Sequence, residues 1–311
     1  MNMTSISRRT FARLLGAGAA AAVVRPAFSF AAEPVTQPLA VSNIVRLSSN
    51  ENPYGPSPKA LQAMTDSFGL SCRYPDDHAD ELIEALAKLN GVNRNQILLG
   101  DGSGEILKLC AETFTGTTRG KLVAADPTFE AILEHSKVSG AEVVKIPLTT
   151  GSFSHDLPKM MAAAKDGLIY ICNPNNPTAS ITPKNEVREL LATASPRTMI
   201  LVDEAYHHYA DGPDYESVIP LIKDHPNLIV ARTFSKIYGM AGLRCGYCVA
   251  QRETIERMPP HQSWDSVNIM ALAAAIASLG DAEQVAPGRR LNRATSAFVI
   301  GQLCPLGCTQ L

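Results

Sequence analysis

Short apolar runs alternate with amphipathic segments along most of the chain. In residues 79–90, leucines recur at helical spacing and Gly91 follows as a helix stop. Residues 168–172, 199–202 and 228–231 are instead continuous apolar runs, mostly of Ile, Leu and Val. Such runs are typical of strands that are buried on both faces of a sheet.

This alternation predicts the order of the secondary structure elements. Strands are predicted over residues 96–99, 121–125, 142–146, 168–172, 199–202, 228–231 and 244–250, and helices over 58–67, 79–90, 105–114, 128–139, 185–193, 217–223 and 289–303. Strands that alternate with helices form mostly parallel sheets with helices on both faces. We therefore predict an α/β fold with three α/β/α layers around a doubly wound, mostly parallel sheet.

The two ends of the chain depart from this pattern. Ser7-Arg8-Arg9-Thr10-Phe11, followed by a short apolar stretch and small residues, is typical of a signal peptide, and the paired arginines resemble the twin-arginine type. We expect a periplasmic or exported protein, with a cytoplasmic location as the alternative. The expected domains are a signal peptide (1–31), an extended proline-rich arm (32–58), a large domain (59–285) and the start of a truncated smaller domain (286–311).

Composition argues against several other kinds of protein. The 311 residues carry a net charge of −2 with scattered Lys and Arg, so a nucleic-acid partner is not expected. No apolar run is long enough for a transmembrane helix, so stable membrane insertion is not expected either. Cys245 and Cys248 lie three residues apart in a predicted strand and therefore on opposite faces, which disfavours a metal site. One disulfide remains possible in an exported protein.

Polar residues directly follow several predicted strands, at the sheet edge where ligands of doubly wound folds bind. Ser103, Gly104 and Glu105 belong to a glycine-rich turn that opens a helix, and such turns bind phosphate well. Asn176 belongs to an Asn- and Pro-rich loop after residues 168–172, which is rigid enough to direct an amide at a ligand.

Two further strand ends carry an acid and an amine. Asp203 and Tyr206 are three residues apart after one strand, so a single turn can bring both to one ligand. Lys236 follows the next strand within Thr233-Phe234-Ser235-Lys236, and a desolvated lysine there can form imines with carbonyl compounds. Arg244 adds a planar donor fork that suits a phosphate.

Together these groups match the needs of pyridoxal 5′-phosphate (PLP). Its phosphate needs donors, its phenolic oxygen an amide or phenol, its ring nitrogen a carboxylate and its aldehyde an amine. Each signal has an ordinary structural explanation when taken alone, such as a helix cap, a tight turn, a paired carboxylate or a surface lysine. Their conjunction predicts PLP bound covalently to Lys236 as a Schiff base.

The same motifs, in the same order, resemble those of fold-type I PLP enzymes, in particular class I/II aminotransferases of the histidinol-phosphate aminotransferase type. The resemblance covers residues 47–311 and rests on Asn-Glu-Asn-Pro-Tyr-Gly-Pro, Arg-Tyr-Pro-Asp, Gly-Ser-Gly-Glu, Asn-Pro-Asn-Asn-Pro-Thr, Asp-Glu-Ala-Tyr and Thr-Phe-Ser-Lys. It implies an enzyme that moves an amino group between an amino acid, or an amino-alcohol phosphate, and a 2-oxo acid.

The resemblance also implies a role for each residue. Lys236, Asp203 and Tyr206 would be catalytic: Lys236 moves a proton, Asp203 pairs with the ring nitrogen, and Tyr206 joins Asn176 at the phenolic oxygen. The other expected cofactor contacts are Ser103, Gly104, Glu105, Thr233, Ser235 and Arg244 around the phosphate, Phe129 stacked on the ring, and Tyr74 from the neighbouring subunit of a homodimer with shared sites. Asn52 and Tyr54 would lie in an arm that closes over the substrate.

Two departures from the family pattern leave alternatives open. Ala179 stands where the family usually has glycine, which alanine can replace if its φ angle is negative. The arginine that binds the substrate carboxylate in the family is expected beyond Leu311. The alternatives are a decarboxylase or lyase of the threonine-phosphate decarboxylase type, and a PLP-binding protein impaired by loss of its C-terminus.

Overall fold

The computed structural model describes residues 46–307. The predicted signal peptide and the first part of the predicted arm lie outside this range. Residues 48–307 belong to a single compact unit. The domain boundary expected at residue 286 stays a prediction.

A seven-stranded sheet forms the centre of this unit. Its strands are β1 (Ile97–Gly100), β2 (Lys121–Asp126), β3 (Val143–Pro147), β4 (Gly167–Cys172), β5 (Thr198–Asp203), β6 (Leu228–Thr233) and β7 (Gly246–Ala250). Their order across the sheet is β1-β7-β6-β5-β4-β2-β3, and only β7 runs antiparallel to its neighbours. The predicted mostly parallel sheet is confirmed, and β5 lies at its centre.

Helices cover both faces of the sheet. They are α1 (Pro58–Asp66), α2 (Asp76–Asn90), α3 (Gly102–Phe114), α4 (Ala131–Val138), α5 (Leu157–Ala164), α6 (Lys184–Thr193), α7 (Arg252–Ile255), α8 (Ile269–Leu279) and α9 (Ala282–Leu303). Local sequence explains several of their ends. Ser57 caps α1 by accepting a hydrogen bond from the N–H of Ala60, and Gly91 ends α2 at a φ of 65°.

Two features of the helices differ from the prediction. Residues 217–223 do not form an α-helix but only a short 3₁₀ turn, Ile219–Leu221, because Pro220 lacks a donor and the Glu204 carboxylate binds the N–H of Val218. Helices α5, α7 and α8 are not among the predicted elements. The N-caps of α5 and α8, Asp156 and Asn268, each accept a backbone hydrogen bond and are the sequence signals that mark these two helices.

The side chains of the buried strands divide between two apolar cores, one on each face of the sheet. Ile169 and Ile171 belong to the core under α1, α2, α5, α6 and α8, whereas Leu168 and Tyr170 belong to the core under α3 and α4. Cys245 and Cys248 are likewise in different cores, as their spacing predicts. The described cysteines are free thiols, and residues 46–307 contain no cluster of three metal-binding side chains.

No single helix within residues 46–307 is long and apolar enough to cross a membrane, although the bent pair Ile269–Leu279 and Glu283–Leu306 has sufficient length and apolar composition when taken together. Most of α8 is buried in the core of the sheet, which explains its apolar composition.

Candidate active site

A cavity of about 630 Å³ opens where the parallel strands end. The last residues of β4, β5 and β6, which are Cys172, Asp203 and Thr233, all line it. Its volume is in the range of roughly 300–1,000 Å³ that is usual for small-molecule sites. Its other lining residues are Ser48, Ser49, Asn50, Glu51, Ser103, Gly104, Phe129, Asn176, Pro177, Ala205, Tyr206, Ser235, Lys236, Ala241 and Arg244.

The side chain of Lys236 extends into this cavity from the loop after β6. Its Nζ donates hydrogen bonds to the backbone carbonyls of Ser49 at 3.2 Å and Asn50 at 3.1 Å. Burial lowers the pKa of Lys236, while the charges of Asp203 and Glu51 oppose that shift. An amine whose pKa is lowered in this way loses its proton more readily and becomes a nucleophile.

Asp203 ends the central strand and is only 2% exposed. Its Oδ2 accepts a hydrogen bond from the Tyr170 hydroxyl at 3.0 Å, and its Oδ1 accepts one from the N–H of Ala205 at 3.1 Å. Burial raises the pKa of Asp203 to about 6, and these two hydrogen bonds oppose the rise. The carboxylate is therefore suited to a cationic or N–H partner in the cavity.

The neighbouring acid, Glu204, serves a structural purpose. Its Oε2 accepts hydrogen bonds from Nη2 of Arg232 at 2.8 Å and from Nε of Arg232 at 3.0 Å. The Ser217 hydroxyl and the N–H of Val218 complete its hydrogen bonds. Adjacent acids at one strand end therefore have different roles, because only Asp203 lines the cavity.

The guanidinium group of Arg244 forms another part of the cavity wall. Arg244 Nη1 donates to the carbonyl of Ala241 at 2.9 Å, and its Nη2 donates to the carbonyl of Asp101 at 3.2 Å. Gly102 has a φ of 73°, and a Cβ atom there would overlap this guanidinium. Glycine at position 102 is thus required both by the backbone and by the close approach of Arg244.

Hydroxyl groups and a helix start surround this guanidinium. Arg244 Nη1 lies 3.5 Å from Oγ of Ser235, which in turn accepts a hydrogen bond from the Thr233 hydroxyl at 2.9 Å. Ser103 and Gly104 belong to the first turn of α3, where backbone N–H groups lack intrahelical partners. Positive charge, hydroxyls and free N–H groups together form a site for a phosphate group.

The Asn-Pro loop after β4 uses its three asparagines differently. Asn173 exchanges two hydrogen bonds with the backbone of Thr182, at 3.1 Å and 3.0 Å. Asn175 Nδ2 donates to the carbonyl of Pro127 at 3.1 Å. These two side chains fix the loop, and Asn176 is the asparagine that lines the cavity.

Two aromatic residues complete the cavity. The hydroxyl of Tyr206 accepts a hydrogen bond from Nδ2 of Asn50 at 3.1 Å, and its ring centroid lies 5.5 Å from Nζ of Lys236. Burial raises the pKa of Tyr206, so its phenol remains a neutral donor near pH 7. Phe129 also lines the cavity and offers a flat apolar surface to a ring.

These residues fit PLP on the chemistry of their donors and acceptors. The buried carboxylate of Asp203 suits a protonated ring nitrogen, and the amine of Lys236 suits the aldehyde. The site around Arg244 suits the phosphate, and Gly102 keeps it open. The fit therefore rests on groups that the fold brings to one cavity from four strand ends.

A family model described as aminotransferase class I and II matches residues 42–298. The chain belongs to this family. It is 38% identical to the histidinol-phosphate aminotransferase of Moorella thermoacetica over 278 residues, which are 88% of this chain and 71% of that protein. The histidinol-phosphate aminotransferase of Symbiobacterium thermophilum is also 38% identical to this chain, over 88% of this chain and 75% of that protein.

Solved structures show the same fold. The histidinol-phosphate aminotransferase of Sinorhizobium meliloti, crystallised with pyridoxal 5′-phosphate, has a TM-score of 0.74 and 30% identity, covering 82% of this chain and 69% of that one. The L-threonine-O-3-phosphate decarboxylase of Porphyromonas gingivalis has a TM-score of 0.73 and 26% identity, covering 84% and 77%. The chain is a PLP-dependent aminotransferase of the fold-type I class.

In this aminotransferase the side chain of Glu105 has structural partners. The side chain of Glu105 does not line the cavity. Its Oε2 accepts hydrogen bonds from the N–H of Asp101 at 2.7 Å and from the Ser266 hydroxyl at 2.7 Å. The Glu105 side chain therefore stabilises the turn before α3, and its expected cofactor contact stays a prediction.

Three other predicted residues lie outside the cavity of a single chain. Asn52 Nδ2 donates to the carbonyl of Ile237 at 3.0 Å, so it anchors the arm beside Lys236. Tyr54 and Tyr74 are exposed and are absent from the cavity wall. The roles expected for Asn52, Tyr54 and Tyr74 through the family resemblance stay predictions.

Sequence reasoning did not select several residues that form the site. Ser49 and Asn50 bind Lys236 through their carbonyls, and Tyr170 binds Asp203. The position of Asn50 two residues before Asn52, inside the Asn-Glu-Asn-Pro motif, is a signal that could have identified it. Tyr170 carries no such signal, because it reads as one more apolar residue of a buried strand.

Ala179 does not have the negative φ angle that would let alanine replace glycine without strain. Its φ angle is 56°, in the left-handed region, while its N–H donates to the carbonyl of Asn175 at 2.9 Å. An L-residue in this region costs about 1–2 kcal/mol relative to its preferred conformations. Alanine is therefore held here by the surrounding loop at a cost in stability.

We expect Ala179→Gly to stabilise the protein by about 0.5–1 kcal/mol, because glycine removes the strain but loses more chain entropy on folding. The free energy of unfolding from urea titrations of the two proteins measures this difference. The matched control is Ala162→Gly in the interior of α5, which should destabilise by about 0.5–1 kcal/mol. Equal destabilisation by both substitutions would contradict a left-handed Ala179.

Proposed function

We propose that this aminotransferase moves an amino group between an amino acid, or an amino-alcohol phosphate, and a 2-oxo acid, with Lys236 as the group that carries the proton. One observation supports this most directly: the Lys236 amine and the buried Asp203 carboxylate line the same cavity. Transamination requires the protein to present an amine and an acid to the same bound cofactor.

Each residue has a defined task in this proposal. Bound PLP supplies a ring that withdraws electrons from the substrate. Asp203 holds a proton on the ring nitrogen, Asn176 and Tyr206 orient the phenolic oxygen, and Arg244 neutralises the phosphate. The cofactor roles of Ser103, Gly104, Thr233, Ser235 and Phe129 are proposed on their place in the cavity wall.

Lys236 is suited to move the proton. Its Nζ takes the proton from the α-carbon of the amino donor and, in the second half of the reaction, returns a proton to the α-carbon of the new amino compound. Burial lowers the pKa of this amine, which makes its neutral, proton-accepting form easier to reach.

A second chamber of about 520 Å³ adjoins the first and shares Lys236 and Tyr206 with it. Pro177, Ala179 and Ile181 contribute to its wall. We propose that the side chain of the amino donor occupies this chamber. Relatives named histidinol-phosphate aminotransferases support an amino-alcohol phosphate as one donor to test.

We expect Lys236→Ala to abolish the absorption band above about 400 nm that the PLP-loaded protein should show. Borohydride reduction of the wild type should place the cofactor on the peptide that contains Lys236. The control is Lys223→Ala, which removes an exposed lysine that does not line the cavity and should leave the spectrum unchanged. A wild type without the band in excess PLP would refute the proposed attachment.

The same holoenzyme can separate transamination from decarboxylation. Adding an amino donor without any 2-oxo acid should convert the cofactor into its aminated form in a single half-reaction and release one equivalent of the keto product. Release of carbon dioxide without that conversion would favour the decarboxylase alternative, whose fold the Porphyromonas gingivalis enzyme shares.

We also propose a homodimer with shared active sites. Tyr74 is 81% exposed and Trp264 is 95% exposed, and both line one surface hollow of about 890 Å³ with Arg73. Large aromatic residues this exposed are typical of protein interfaces. The family resemblance supports a second copy as the partner, with Tyr74 reaching the phosphate of its neighbour.

Mixing two inactive variants tests this arrangement. Lys236→Ala and Tyr74→Ala dimers should each be impaired, but subunit exchange should restore about a quarter of the wild-type activity, since half the dimers would be mixed and each would hold one intact site. The transaminase activity is measured after the two variants are mixed at equal concentration. No recovery despite proven exchange would show that Tyr74 acts within its own subunit or not at all.

We propose export by the twin-arginine route, on the Arg8-Arg9 pair and the apolar segment after it. That route is suited to an enzyme that acquires its cofactor before transport. In a bacterial host, Arg8→Lys with Arg9→Lys should strongly reduce the periplasmic fraction of the protein, while Arg25→Lys should not. Wild-type protein found entirely in the cytoplasmic fraction would refute the proposal.

A further inference from the structure

Tyr170 lies beneath the cofactor cavity, in the middle of strand β4. In the β4–β5 register Tyr170 faces Leu201, so Asp203 is its diagonal neighbour two residues further along β5. Diagonal neighbours are within reach of a long aromatic side chain. The Tyr170 hydroxyl donates to Oδ2 of Asp203 at 3.0 Å. The sheet register itself therefore places the phenol against the carboxylate.

Nothing else in the described part of the chain replaces this hydrogen bond. The side chain of Asp203 accepts one bond on each oxygen, from Tyr170 on Oδ2 and from the N–H of Ala205 on Oδ1. Tyr170 is completely buried, with 0% exposure. Removing its hydroxyl would leave Oδ2 buried without a protein donor, and that disfavours the ionised carboxylate.

The hydrogen bond from the Tyr170 phenol matters because burial disfavours the ionised form of Asp203. Burial raises the pKa of Asp203 to about 6, and the hydrogen bond from Tyr170 is the largest opposing influence. The charged and titratable groups that face Asp203 come from every element packed around it. They are Tyr170 and Cys172 on β4, Cys110 on α3, Glu204, Tyr206 and Tyr215 after β5, and Lys236 after β6.

Most of these groups do not help to keep the acid charged. Burial raises the pKa of the thiols of Cys110 and Cys172, so they stay neutral beside Asp203. The charge of Glu204 opposes ionisation, and among the cations of the described residues only Lys236 favours it. Lys236 gives up that charge when it acts on a substrate. Tyr170 is the side-chain partner that favours ionisation and does not change charge during the reaction.

We propose that Tyr170 is a positioning residue that holds Asp203 in its ionised form, with Oδ2 fixed, beneath the site for the ring nitrogen. This goes beyond the proposed function and uses from it only the assignment of Asp203 to the ring nitrogen. Tyr170 does not line the cavity, so it acts through Asp203. An ionised Asp203 keeps a proton on the ring nitrogen, so the phenol supports the electron-withdrawing capacity of the site.

The first test uses the protein without cofactor, so it does not depend on activity. In Tyr170→Phe, carbon NMR of labelled aspartate should show the titration midpoint of Asp203 moving upward from its wild-type value by about one pH unit, the usual effect of losing a hydrogen bond to a charged group. Tyr238→Phe is the matched control, since Tyr238 is also buried but its hydroxyl faces His208 at 3.4 Å.

Protein stability provides a second measurement with a defined sign. A folded pKa raised above the unfolded value of 3.8 means that Asp203 contributes stability below about pH 4, which is lost as the pH rises through about 6. In Tyr170→Phe this loss should extend to higher pH. In an Asp203→Asn background the substitution should no longer change the pH dependence, because the titrating group is gone.

The loaded enzyme should show the same shift. The acidic limb of kcat should move upward in pH by a similar amount in Tyr170→Phe, with KM for the amino donor little changed. An unchanged Asp203 midpoint in the cofactor-free variant would overturn the proposal for Tyr170. Failure of transamination in the wild type, with the midpoint shifted as expected in the variant, would count only against the proposed function.

Discussion

The buried carboxylate of Asp203, at the end of the central strand, is the constraint on which the rest of the site depends. Four neighbouring strands, β4 to β7, are buried along their whole length, so any ionised group at their ends is removed from water. Leaving a charge there without partners is unfavourable. The fold meets this requirement with a phenol and a backbone N–H from below, and leaves the cavity side of the acid for a positively charged ligand.

The same chain segment shows how two adjacent acids are handled differently. Glu204 is as buried as Asp203, but Arg232 binds it through two nitrogens and thus fully compensates its charge. A buried ion pair of this kind is worth little in net stability, but loss of one partner is expensive. Glu204 therefore ties β6 to the loop after β5 and fixes the strand end, while Asp203 remains available for chemistry.

The sequence predicted the features that depend on local pattern. Buried parallel strands are continuous apolar runs, so their ends, and with them Asp203, Lys236 and Asn176, could be located in advance. It did not predict features that depend on register or backbone angle. Tyr170 meets Asp203 only because of the β4–β5 register, Glu105 turns towards Ser266 across the chain, and Ala179 adopts a positive φ within a loop held by Asn175.

The Lys236 amine and the Asp203 carboxylate need different protonation behaviour in the same buried site. Burial favours the neutral form of both groups, yet the carboxylate must stay charged while the amine must lose its charge during the reaction. Fixed hydrogen bonds from Tyr170 and Ala205 support the charge of Asp203 permanently. The carbonyls of Ser49 and Asn50 that hold Lys236 belong instead to the arm, outside the sheet. The carboxylate of Asp203, whose charge must remain constant, is thus held partly by the buried sheet. The amine of Lys236, whose charge must change, is held by the arm.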